Sequence, residues 1–101
     1  YNSSKIKSFV LGHSRITKGQ AKALNDLSPK WCIFPQNQPL NYKNTFNSEK
    51  PLVVDIGFGM GDELIDFAKK NLDKNILGIE VYKPGIGKVL NQIEINNINN
   101  I

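Results

Sequence analysis

Apolar positions along the chain fall into blocks with different periods. Leu52-Val53-Val54-Asp55-Ile56 is a short apolar run that opens after Pro51 and ends at a glycine, the signature of a strand over Leu52–Ile56. Leu64, Ile65, Ala68 and Leu72 then recur at helical spacing and predict a helix over about 62–70. Its acidic start, Asp62 and Glu63, and basic end, Lys69 and Lys70, both suit the helix macrodipole. Asn75–Val81 returns to a strand pattern. Pro84-Gly85 opens a further helix over about 85–96, with Ile86, Val89, Leu90 and Ile93 as its buried face. The order β-α-β-α predicts two parallel strands joined by a right-handed crossover.

The pattern is weaker upstream. Thr17-Lys18-Gly19-Gln20 is a capping box, with Thr at the N-cap and Gln at N3, and Ile16 is placed to staple onto Ala21. Ala21, Leu24 and Leu27 (or Ser28) give a short stripe, so a helix is expected from about Lys18 to Leu27, with Pro29 helping to stop it. Residues 29–50 read as a loop, rich in Asn and interrupted by Pro29, Pro35 and Pro39. Trp31, Phe34, Tyr42 and Phe46 are expected to anchor it over a core rather than to stack on bases. Residues 1–15 are a polar, basic arm or short strand in which Lys5, Lys7, His13 and Arg15 alternate with Ile6, Phe9, Val10 and Leu11. The Asn-rich end, Asn96–Asn100, reads as the exit from the last helix.

The candidate chemistry sits where the first strand ends. Asp55-Ile56-Gly57-Phe58-Gly59-Met60-Gly61 places a carboxylate and three glycines at alternate positions between a strand and a helix, the order of a nucleotide-binding α/β unit. Glycine lets backbone approach a ligand that a Cβ would hold off, and the helix start presents unpaired N–H groups beside it. The spacing is not that of the dinucleotide fingerprint G-x-G-x-x-G, because the third glycine arrives one residue early. Asp62 would also set a negative charge near a pyrophosphate. A cofactor without phosphates suits an acidic loop better, and S-adenosylmethionine, with its sulfonium, ammonium and ribose, is such a cofactor. Glu80 follows Gly61 by nineteen residues. That is where such folds hold ribose hydroxyls, and a carboxylate can accept from both.

Composition narrows the class without deciding it. The chain has 101 residues, 40% hydrophobic and 22% charged, ordinary for one globular domain. No apolar run approaches a membrane span, and the start has no signal-peptide core. The net charge of +4 permits a polyanionic partner without requiring one. The wealth of Asn and Lys is equally explained by an AT-rich genome. Cys32 is the only cysteine, which excludes an internal disulfide and favours a packing role over a nucleophilic one. His13 has no second ligand at useful spacing, so no metal site is expected. A doubly wound sheet usually has five or more strands, whereas the residues after Gly61 hold one helix, one strand and one more helix. The chain thus reads as the first part of a larger domain.

Taken together, Asp55-Ile-Gly-Phe-Gly-Met-Gly61 and Gly78-Ile-Glu-Val-Tyr-Lys-Pro-Gly85 resemble the bacterial tRNA (guanine-N7)-methyltransferases. The leader Lys7-Ser-Phe-Val-Leu11, Arg15-Ile-Thr-Lys-Gly-Gln20, Ala23-Leu24 and Pro29 resembles the same family, so the likeness spans nearly the whole chain. The resemblance implies an α/β fold: a partial Rossmann-like class I methyltransferase sheet over 51–101, preceded by an N-terminal arm, short helix and loop over 1–50. It implies a cytoplasmic enzyme that moves a methyl group from S-adenosylmethionine to N7 of a guanine in the tRNA variable loop. Asp55, Gly57, Gly59, Gly61 and Glu80 map onto that family's cofactor contacts, with Gly57 and Gly59 nearest the cofactor. Arg15 and Lys18 are candidates for RNA contact.

Two departures stand out. Gly12-His13-Ser14 replaces a more basic leader. The family's catalytic Asp lies in a later Pro-Asp-Pro segment that these residues do not contain, so no catalytic residue is assigned in this chain. The resemblance leaves open monomer or homodimer. Two alternatives stand beside it: an NAD-type oxidoreductase domain, built on the same strand, loop, helix and Glu80, and a non-catalytic RNA-binding remnant, built on the missing strands and the positive charge.

Overall fold

A computed structural model describes residues 15–35 and 37–101. The N-terminal arm expected over residues 1–14, with His13, lies outside the described residues. The elements are α1 (Lys18–Trp31), α2 (Tyr42–Phe46), β1 (Leu52–Ile56), α3 (Asp62–Lys70), β2 (Asn75–Ile79) and α4 (Lys83–Ile95). The strands pair in parallel, with Leu52 opposite Asn75, Asp55 opposite Gly78 and Ile56 opposite Ile79. The expected β-α-β-α unit is therefore present as an α/β arrangement.

Paired residues share a sheet face, and alternation separates the two faces. Val53 and Ile76 belong to the covered face. There Leu64, Ile65 and Ala68 of α3 and Val89 and Ile93 of α4 form the core, together with Ile76 and Ile98, and Trp31, Phe58 and Ile101 pack against it. The opposite face is apolar but open: Val54, Ile56 and Ile79 are exposed, Ile56 at 75%. Beyond β2, the Ile76 N–H donates to the Asn100 carbonyl at 2.7 Å, so the last residues run beside the second edge of β2.

Several boundaries differ from the sequence reading. The α1 capping box is formed, with Gln20 N–H donating to Thr17 Oγ1 and Thr17 N–H donating to Gln20 Oε1, both at 3.0 Å. The helix continues through Pro29 to Trp31, however. In the last turn proline removes a single intrahelical bond, while Trp31 gains core contact and Lys30 Nζ lies 3.5 Å from Glu94 on α4. The buried face carries Ser28, the alternative to Leu27, and Ala23 in place of Ala21, which is exposed like Ile16. Leu72 is also exposed, because α3 ends at Lys70 with Asn71 as its C-cap and Leu72 falls past the helical stripe.

Within the supposed loop, Asn41 caps a five-residue helix by accepting from the Asn44 N–H at 3.2 Å, and Asn47 ends it in the left-handed region at φ 50°. The Asn-rich tail does more than leave α4. Asn100 Nδ2 donates to the carbonyls of Ala68 and Asn71 at 3.1 and 3.0 Å and so satisfies the C-terminal end of α3.

Candidate functional site

Every sequence-predicted residue from Asp55 to Gly61 lies at the ends of β1 and β2, where the strands deliver the chain to α3 and α4. The ladder extends one residue beyond β1, because the Gly57 N–H donates to the Ile79 carbonyl at 2.7 Å. The loop then turns on three positive φ angles, 73° at Gly57, 61° at Gly59 and 82° at Gly61, conformations that cost a residue with a Cβ. Phe58 points inward between them. It sits over Gly78, where a Cβ would stand 3.0 Å from its ring, and thereby fixes the height of the loop above the sheet.

The glycines divide by what surrounds them. A Cβ on Gly57 or Gly59 would meet nothing within 4 Å, so these two form an open cradle. Gly61 is buried against Val89 of α4 and Phe58, and a Cβ there would overlap Val89 Cγ2. Its place is thus explained by packing within the protein, at the N-cap of α3.

Glu80 is drawn into the same unit. Its Oε1 accepts from the Gly59 N–H at 2.6 Å, and its Oε2 accepts from the N–H groups of Val81 at 2.8 Å and Tyr82 at 3.2 Å. This explains why β2 stops at Ile79 rather than reaching Val81: the following N–H groups are taken by a side chain instead of a neighbouring strand. It also explains how α4 begins at Lys83, before the expected Gly85, with Pro84 in the first turn where its missing N–H costs nothing. Asp55, half-buried at the end of β1, pairs in register with Gly78, two residues before Glu80. Both carboxylates therefore stand at one end of the sheet beside an open glycine cradle, a donor and acceptor set suited to a polar, cationic nucleoside-like ligand.

Two neighbouring features bear on the charge of the site. Asp62 is exposed and lies 2.7 Å from Lys88 Nζ, so part of its charge is offset by α4. A largely apolar cavity of about 510 Å³ lies behind the site, lined by Trp31, Phe34, Phe58, Ile86 and Ile101 among others. It reaches Glu80 but not Asp55, Gly57 or Gly59, so the cradle is a separate, more open surface. Arg15 and Lys18 are both exposed, just ahead of Gln20, which packs on Gly87 of α4. No metal-binding group of His, Cys, Asp or Glu occurs among the described residues, and no described helix is long and apolar enough to cross a membrane.

Residues 49–101, the part that carries both strands and the glycine loop, match a family model described as "Putative methyltransferase". The chain belongs to this methyltransferase family. It is 44% identical, over 99% of its length, to a protein of Francisella philomiragia named tRNA (guanine-N(7)-)-methyltransferase. Proteins of the same name from Vibrio vulnificus and Aeromonas hydrophila are 42% and 43% identical over 96% of it. The chain spans 44% of the Francisella protein and 41% of the other two.

Membership in a methyltransferase family disfavours the oxidoreductase alternative. The sequence reading of the methyltransferase chain missed Phe58, Val89 and Gly85 as shapers of the loop. The signal for Gly85 was present, a glycine just after Pro84 inside a helix start, but its contact partner on the other motif was not visible.

Proposed function

We propose that this chain is the cofactor-binding amino-terminal part of a tRNA (guanine-N7)-methyltransferase that uses S-adenosylmethionine. The carrying observation is the Glu80 carboxylate on the lip of the Gly57–Gly59 cradle, 2.6 Å from the Gly59 N–H. Family membership and the names of the relatives support the same reaction.

In this reading Gly57 and Gly59 lie against the cofactor, Asp55 faces its ammonium directly or through water, and Glu80 holds the ribose. A carboxylate offers about four lone-pair positions, and three of Glu80's are already taken by backbone N–H groups. That would leave Glu80 acceptor capacity on Oε1 for a ribose hydroxyl. Gly61 serves the cradle from behind. Bound there, S-adenosylmethionine would supply an electrophilic methyl group to guanine N7, whose free lone pair needs no general base. The protein's task is then largely orientation.

Transfer RNA would bind mainly through Lys and Arg contacts to phosphate, Arg15 and Lys18 among them, and the affinity would fall steeply with salt. Such an enzyme works in the cytoplasm.

Calorimetric titration of the full-length protein with S-adenosylmethionine, beside NAD and beside a Glu80→Ala variant, tests the cofactor reading. Binding of S-adenosylmethionine alone, lost in the variant, is expected. Binding of NAD in its place would overturn it.

A further inference from the structure

We propose that Gly85 is a positioning residue for the cofactor loop: the first turn of α4 forms one jaw of a clamp that holds Gly59, and Glu80 forms the other. The inference rests on the cofactor reading above and names a residue outside the glycine loop and the two carboxylates.

Gly85, the third residue of α4, is buried, and a Cβ there would overlap the Gly59 carbonyl oxygen and stand 3.3 Å from Met60 Cα. No flexible side chain is available to yield, because the atoms in the way are backbone. The Gly59 N–H is held from the other side by Glu80 Oε1 at 2.6 Å. One residue of the loop, in the left-handed region at φ 61°, is thus fixed at both its N–H and its carbonyl by groups on the β2–α4 connection. The six residues from Glu80 to Gly85 carry both jaws, so the connection sets the position of the loop surface that Gly57 and Gly59 present to solvent. Gly87 offers an internal control. It is also crowded by backbone, though less severely, with a Cβ 2.7 Å from the Gln20 carbonyl oxygen, and it packs on α1 rather than on the loop.

The test uses the full-length protein. Gly85→Ala is expected to raise the KM and Kd for S-adenosylmethionine tenfold or more, with the KM for tRNA changed less than twofold. Gly87→Ala is expected to leave the KM for S-adenosylmethionine within twofold. A folded Gly85→Ala protein that binds S-adenosylmethionine like wild type overturns the proposal, and so does an equal loss in Gly87→Ala.

Amide hydrogen exchange in the unliganded wild type is the second measurement and depends on no variant folding. The Gly59 amide is expected to be protected before any cofactor is added, and exchange at the rate of an unstructured peptide would overturn the clamp. If wild type binds no S-adenosylmethionine, the cofactor reading fails, and faster exchange of the Gly59 amide in Gly85→Ala than in wild type decides whether the clamp exists.

Discussion

Gly61 lies directly against Val89, so the turn into α3 and the buried face of α4 are built around one missing methyl group. The contact separates two costs that a glycine usually hides. At Gly57 a methyl group meets open space and only the positive φ opposes it; at Gly61 the same strain is joined by overlap with a core side chain. Gly57→Ala should destabilise by about 1 kcal/mol and Gly61→Ala by about 2–4 kcal/mol. Urea unfolding of the full-length protein checks the order. Val89→Ala should be strongly coupled to Gly61→Ala, because the two share one contact. Additive effects would argue against the packing account.

Glu80 organises backbone before any ligand arrives. Glu80→Gln keeps the size of the side chain but replaces a charged acceptor by a neutral amide. Charge-assisted hydrogen bonds contribute about 1.5–3 kcal/mol, so a ten- to hundredfold rise in the Kd for S-adenosylmethionine is expected. Calorimetry measures it. An unchanged Kd would place the cofactor elsewhere.

The open face of the sheet predicts behaviour of the 101-residue chain on its own. Val54, Ile56 and Ile79 present a contiguous apolar surface, and one edge of β1 pairs with no strand among the described residues. Such a surface associates readily and leaves a small domain marginal. The isolated chain should self-associate in analytical ultracentrifugation and melt broadly. A sharp, cooperative transition from a monomer would contradict this.

Burial pushes the Cys32 thiol up from its usual value, while a hydrogen bond with Ser28 acts in the opposite direction. The fold therefore favours the neutral thiol. Below the ordinary thiol pKa both folded and unfolded chains are protonated, and this group makes stability independent of pH. As pH rises through that value the unfolded chain ionises first, and stability falls. Iodoacetamide labelling at Cys32, followed by mass spectrometry, should reach half its maximal rate at higher pH in the native protein than in denaturant. An equal or lower midpoint would show that the thiol is not shielded.

The parts of the fold governed by local pattern were legible in the sequence. β1 and α3 lie at the predicted residues because an apolar run, a glycine loop and a charge-graded amphipathic segment each act over a few neighbours. The departures come from contacts between distant residues. α1 passes Pro29 because Trp31 reaches the core and Lys30 reaches Glu94. β2 ends early because Glu80 turns back on its own chain and onto Gly59. Asn100, read as part of a helix exit, instead completes the end of α3, more than thirty residues earlier. The short α2 was marked by Asn41 and Asn47 at its two caps, a signal hidden by the surrounding prolines and asparagines. Spacing was enough to bring Asp55, the glycines and Glu80 together at one end of the sheet. The division of labour between Gly57 and Gly59 in the open and Gly61 in the packed interior was not, since it depends on which way each Cα faces.

The most direct test of the account is the position of the transferred methyl group. Full-length protein incubated with unmodified tRNA and methyl-labelled S-adenosylmethionine, followed by nucleoside digestion and mass spectrometry, should give label in 7-methylguanosine and should give none with Glu80→Ala. Label in N1- or N2-methylguanosine, or no transfer by a folded protein that binds both partners, would contradict it.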